Sequence, residues 1–371
     1  MGSKDRSGRG SLRNVRPRLA RRLARPDGIS PSNKPRVDDL GHHVASRLFA
    51  APVSACLPTC LTEHAVPLNP STPVTLTPPR VADGAWHAVC RHFFRLAASG
   101  IVPARWFSPA PPVQRDAVTG RLTIEVVSHC WQYAHLLKHQ LSSLVLHPPQ
   151  QVDVRVTVFH AVEDADTVAL LAYFARHQVP GVRWNWQVLP PDQLMRRCIG
   201  RNQAALATTA NWVWFTDCDL VFGEGCLDAL AENLQGRTDA LVYPQVEHCT
   251  SLLADDDASL AGFSPEADLA GTVVDFKERA VSRATGPLQI AHGDVARAVG
   301  YCDAIAAYKP GADHWQKCYE DRTFRWLLGT RGVPLDIPGV QRIRHVSKGR
   351  YRAGGRMATL RQQIRKAKDR A

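Results

Sequence analysis

From residue 121 onward, the apolar positions follow two alternating periods. Leu122–Ser128 is a run of large and β-branched residues that predicts a strand. Gln132–His147 places Leu137, Leu141, Leu144 and Val145 on one helical face, and Pro148-Pro149 stops it. Val152–Phe159 carries valine at 152, 154, 156 and 158, the period of a strand. Asp166 is positioned to cap a helix Thr167–His177, apolar at Val168, Leu171, Ala172 and Ala175. Val182–Leu189 predicts a third strand, Gly200–Ala210 an alanine-rich helix, and Trp212–Thr216 a fourth strand. Cys226–Leu234 is a helix with Leu227, Leu230, Ala231 and Leu234 in register, and Ala240–Tyr243 is a short strand. Strands alternating with helices predict a mostly parallel central sheet with helices on both faces. Parallel crossovers are right-handed, so both faces are covered only where the strand order reverses. That reversal opens a crevice at the carboxyl ends of the strands.

The flanking regions lack this rhythm. Residues 1–80 are arginine-rich at first and proline-punctuated over 66–80, and they predict a disordered segment. Residues 81–120 form a helical lead-in whose core is an amphipathic helix over 85–98. The periodic region is expected to fold as one domain over 121–350, and 351–371 as a basic helix or tail. An apolar content of 44% among 371 residues supports a real core. No run reaches the roughly 18 apolar residues of a membrane span. The amino-terminal residues have no apolar signal core, and the ten cysteines have no repeating spacing, so a reduced, cytoplasmic protein is expected. The net charge of +12 gathers at the two ends. It suits a solvated tail, an anionic membrane surface or nucleic acid, and a basic tail by itself does not separate these. Cys56, Cys60 and His64 match no standard zinc spacing.

The chemistry concentrates after the fourth strand. Trp212–Thr216 is wholly uncharged, and Asp217 and Asp219 follow where it ends. Unpaired carboxylates are costly in a core, whereas the carboxyl end of a strand is where open α/β sheets bind ligands. Two hard oxygen donors suit Mg²⁺ or Mn²⁺, a cation that keeps waters and substrate phosphates as its other ligands. Asp-x-Asp is a short motif, and by itself it is more simply read as a turn begun by Asp217 and a cap supplied by Asp219. About a hundred residues on, Glu320-Asp321 opens a predicted helix with Phe324, Leu327 and Leu328 on its apolar face. Asp255-Asp256-Asp257 is expected to be an exposed turn.

With these residues in place, the chain resembles family 2 glycosyltransferases of the GT-A fold. The resemblance is carried by Val126-Val127-Ser128, Gly200-Arg201-Asn202-Gln203-Ala204-Ala205-Leu206, Trp212–Asp219, Ala298–Asp303 and Glu320-Asp321…Arg325…Gly329. It covers about residues 121–350. The implied fold is α/β with a Rossmann-like nucleotide-binding half. The implied activity is transfer of a sugar from a nucleotide-sugar donor to a glycan, lipid-linked or small-molecule hydroxyl acceptor, with inversion. Asp217, Asp219 and, from the far end of the domain, His345 are implied as metal ligands. Arg201, Asn202, Asp217, Asp164, His160 and Trp131 are implied around the donor nucleotide. Asp321, or else Glu320, is implied as the base. Lys348, Arg350 and Arg352 would contact phosphate or close over it.

Two departures stand out. The family's Asp-Asp-Gly-Ser type turn is replaced by Phe159–Asp166, and its Thr-Tyr-Asn by His129-Cys130-Trp131. Two further readings remain. A nucleotidyltransferase would share the sheet but need a glycine-rich loop that Val127–Trp131 lacks. A basic nucleic-acid or anionic-surface module would need a binding motif, and none is evident. No nucleic-acid partner is expected; peripheral contact with an anionic membrane surface stays open.

Overall fold

The structure is a computed structural model, and it describes residues 85–97, 102, 113–254, 257–260, 275–312, 319–346, 362, 363 and 366. The readings of residues 1–80 with Cys56, Cys60 and His64, of Lys348, Arg350 and Arg352, and of most of 351–371 lie outside the described residues.

In chain order the elements are α1 (Ala85–Leu96), β1 (Thr123–His129), α2 (Ala134–Leu146), β2 (Asp153–His160), α3 (Ala165–Phe174), β3 (Val182–Val188), α4 (Pro191–Leu194), α5 (Arg197–Ala207) and β4 (Trp212–Phe215). There follow β5 (Leu220–Phe222), α6 (Cys226–Leu234), β6 (Leu241–Pro244), β7 (Val246–Thr250), β8 (Phe276–Ala280), β9 (Gln289–His292), α7 (Gly293–Val299), α8 (Glu320–Leu327), β10 (Val333–Leu335) and β11 (Val340–Arg342). No described helix is long and apolar enough to cross a membrane.

The main sheet has seven strands in the order β10-β6-β9-β4-β1-β2-β3. It is mostly parallel: β9 runs against β4 and β6, and the other pairs run together. The expected reversal of strand order falls between β1 and β4. The chain passes from β1 outward to β2 and β3, then returns to lay β4 on the other side of β1.

Alternation along the strands divides the core between two faces. Ile124, Val126, Trp212 and Trp214 pack with Leu137 and Leu141 of α2, Leu170 of α3 and Leu230 of α6. Val127, Val213 and Phe215 pack on the opposite side with Ala204 of α5, Ala296 of α7 and Phe324 of α8. Helices therefore cover both faces, as the pattern predicts. A second sheet of four strands, β5-β11-β7-β8, lies beyond the end of β4. Its three-residue strands β5 and β11 have too few side chains for a readable period.

Two local readings change. Asp164, not Asp166, caps α3: its carboxylate accepts from Thr167 N at 3.3 Å and Thr167 Oγ1 at 2.7 Å. The helix accordingly begins at Ala165, two residues before the expected start. Helix α5 begins at Arg197 rather than Gly200. Glycine is unfavourable inside a helix, but a Cβ at Gly200 would lie 2.4 Å from His129 Nε2 and 2.8 Å from the Phe159 ring. Only a residue without a side chain lets α5 lie this close to β1.

Candidate active site

Asp217 and Asp219 occupy the turn that carries the chain from the main sheet into the second one. Thr216 N still bonds to Val127 O at 2.8 Å, the last rung between β4 and β1. Leu220 N then donates to Asp217 O at 3.1 Å, closing the turn, and Ile343 N donates to Asp219 O at 2.9 Å. Gln140 Nε2, from α2, holds Asp217 O from below at 3.1 Å. Both aspartates are buried.

Two arginines converge on Asp217. Arg201, fully buried in α5, donates from Nη2 to Asp217 Oδ1 at 3.3 Å and to Thr216 O at 2.8 Å. Its Nη1 donates to Tyr301 Oη at 2.9 Å. Tyr301 Oη donates to Gln289 Oε1 at 2.7 Å, and Gln289 Nε2 to Asp321 O at 2.9 Å. A hydrogen-bonded chain thus runs from the Asp217 turn to the start of α8. Burial raises the Tyr301 hydroxyl well above its ordinary value, so it stays protonated and can donate.

Arg197 supplies a second link, one the sequence reading did not single out. Its Nη1 donates to Asp217 Oδ1, and its Nε lies 3.8 Å from Glu320 Oε1. Burial pushes the Arg197 guanidinium down, but Asp217 and Glu320 outweigh it and hold it above its ordinary value. The sequence signal was slight: one more arginine, in Arg196-Arg197, ahead of a helix expected to start later.

Glu320 and Asp321 diverge. Glu320 is buried and turned toward Arg197. The Asp321 carboxylate lies 3.9 Å from Arg325 Nη1 and keeps 31% of its side chain exposed. A Cβ on Gly286 would sit 3.6 Å from Asp321 Cβ. Gly286 lies just before Gln289, which pairs with Phe215 at the carboxyl end of β4. Asp321 therefore stands at the same edge of the sheet as Asp217.

The remaining candidates spread along that edge or away from it. His160 ends β2, and burial lowers its imidazole from the ordinary value against the Ala161 backbone and Asp164. Asp164 accepts from Gln132 N at 2.5 Å as well as capping α3, so it fixes the loop after β1. Trp131 is half-buried against the core on the α5 side. Asn202 points elsewhere: Nδ2 donates to Asp303 Oδ1 and Oδ1 accepts from Tyr301 N, both at 2.8 Å. There it holds the turn at Gly300, whose φ of +61° suits glycine. His345 is buried two residues past the Ile343 contact with Asp219, its ring 5.5 Å from Tyr133 and 6.3 Å from His135. His129 ends β1, stacked on Phe159 at 5.1 Å. Burial, then Arg201 and Arg197, hold its imidazole well below the usual range.

Among the described residues no three His, Cys, Asp or Glu side chains cluster as a metal cage. Two buried carboxylates one residue apart are nonetheless a donor set for a hard cation that draws its other ligands from water and substrate phosphate. Asp217 and Asp219 are such a set for Mn²⁺ or Mg²⁺.

No family model and no curated protein sequence matches the chain. Among solved structures it is similar to S. aureus TarS 1-349, at 12% identity over 62% of this chain and 59% of that one, with a TM-score of 0.36. The same protein in complex with UDP-GlcNAc is similar at 13% identity over 64% and 61%, TM-score 0.35. Mannosyltransferase PcManGT from Pyrobaculum calidifontis, in complex with GDP-Man and Mn2+, is similar at 16% identity over 76% and 73%, TM-score 0.36. The chain matches 59% of the length of the first of these structures.

Proposed function

We propose that the protein is a cation-dependent glycosyltransferase that moves a sugar from a nucleotide-sugar donor to a hydroxyl acceptor with inversion. The observation that carries this reading is the meeting of two sequence-distant acid pairs at one sheet edge, at the reversal of strand order. They are tied by Arg197 and by the Arg201–Tyr301–Gln289 chain.

In this reading Asp217 and Asp219 hold the cation, and waters and donor phosphate complete its shell; His345, expected from the sequence as a third ligand, packs instead against Tyr133 and His135. Mn²⁺ or Mg²⁺ bound there supplies neutralisation of the diphosphate charge as it leaves. Arg201, pinned by Thr216 O and Tyr301, fixes the orientation of the Asp217 carboxylate. His160, Trp131 and Asp164 surround or brace the nucleotide end, while Asn202 acts at a distance by holding the Gly300 turn. Asp321, the more open acid, accepts the acceptor's proton as its oxygen bonds to the anomeric carbon and the bond to the diphosphate breaks. Attack opposite the leaving group gives inversion. Glu320, held by Arg197, orients the start of α8.

Thermal shift with UDP, GDP, ADP and CDP, each with and without Mn²⁺, tests the reading. Stabilisation by a nucleoside diphosphate together with Mn²⁺ supports it; no response to any of them refutes it.

A further inference from the structure

Asp217 already has two cationic partners before any divalent ion or diphosphate enters, and the two differ in what they can do. Arg201 is completely enclosed, and its nitrogens bond Thr216 O, Asp217 and Tyr301. Arg197 keeps 23% of its side chain exposed and stretches between Asp217 and Glu320, the second contact being a loose 3.8 Å. Arg201 is wholly enclosed, whereas Arg197 is the more exposed of the two and bridges both acid pairs.

A divalent cation on Asp217 and Asp219 would compete with Arg197 for the same carboxylate, since like charges around one acceptor repel. A diphosphate arriving with that cation offers the displaced guanidinium a better partner, because arginine binds phosphate through two parallel N–H···O bonds. Resting on the glycosyltransferase reading, we infer that Arg197 is a diphosphate-binding residue held in reserve. It neutralises Asp217 and steadies Glu320 in the empty site, and it moves to the donor phosphates when the cation takes its place. The same exchange links donor arrival to Glu320, at the end of the crevice where the acceptor would bind. Arg201 stays on Asp217 throughout, so removal of Arg197 leaves the buried carboxylate paired.

The test is a pair of calorimetric titrations on the wild type, Arg197→Gln and Arg197→Lys: Mn²⁺ alone, then UDP and GDP at saturating Mn²⁺. Near-ultraviolet circular dichroism checks that each variant is folded. In Arg197→Gln, Mn²⁺ alone should bind several-fold tighter because its competitor is gone. Nucleoside diphosphate should bind about 10-fold more weakly, the scale of one charge-assisted bidentate contact. Arg197→Lys, which keeps the charge without the fork, should fall between. Changes of opposite sign are what a merely structural arginine would not produce. Unchanged affinities, or both weakened together, overturn the inference while leaving the glycosyltransferase reading intact. A wild type that binds no nucleoside diphosphate with or without Mn²⁺ refutes that reading and this inference with it.

Discussion

Asp217 and Asp219 sit in a turn whose main chain is gripped from both sheets, and both side chains are buried. Glu320 and Asp321 sit side by side at the start of a helix, where neighbouring side chains point about 100° apart. One is buried against Arg197, and the other keeps 31% of its side chain exposed beside Arg325. Asp217 opens a tight turn closed by Leu220 N, and Asp219 lies within it, so two acids are held close along the main chain. Adjacent positions on a helix split the pair between an anchored acid and an open one. The first arrangement suits holding a charged ligand, and the second suits proton transfer beside a fixed support.

The largest expected effect strikes the turn. Asp219→Ala should abolish cation-dependent binding of a nucleoside diphosphate and with it all transfer, while circular dichroism stays native. Unchanged turnover would remove the turn from the site. Next comes the open acid. Asp321→Asn is nearly isosteric, so donor affinity should persist while kcat falls by about 10²-fold or more, the scale of a lost general base. If Glu320→Gln gives that fall and Asp321→Asn does not, the two roles exchange.

Two smaller effects probe α5, which carries both arginines. Gly200→Ala should destabilise the domain by about 2 kcal/mol through overpacking against His129 and Phe159. That would appear as a fall in Tm of roughly 5 °C. The last concerns pH. Burial, with Arg201 and Arg197, lowers the His129 imidazole, so the unfolded chain takes up a proton near 6.5 while the folded one does so only at lower pH. The unfolded state then binds more protons, and stability should fall as pH drops below about 6.5. Urea denaturation at pH 7.5 and 5.5 should show the loss, and His129→Phe should lessen it.

The strands β2 and β4 of the main sheet were legible because valines at 152, 154, 156 and 158 and the uncharged Trp212–Phe215 have the strand period or composition. The second sheet was not, because Leu220–Phe222 and Val340–Arg342 are three residues each. Asp217 stood out because an acid after an apolar run is abrupt. Arg197 did not, because its meaning depends on Glu320, more than a hundred residues away. The sequence points to Asp166 as the cap of α3, and the hydrogen bond from Thr167 N to Asp164 moves the cap two residues earlier. Gly200 resembled a helix start because its reason for being inside the helix, the His129 ring, lies on another element.

The comparison of the two acid pairs is tested most directly by titrating UDP and GDP, at saturating Mn²⁺, into Asp219→Ala and Asp321→Asn side by side with the wild type. The account predicts that the wild type and Asp321→Asn bind a nucleoside diphosphate with similar affinity and that Asp219→Ala does not bind it. Binding retained in Asp219→Ala, or lost in Asp321→Asn, would contradict the division of roles between the turn and the helix.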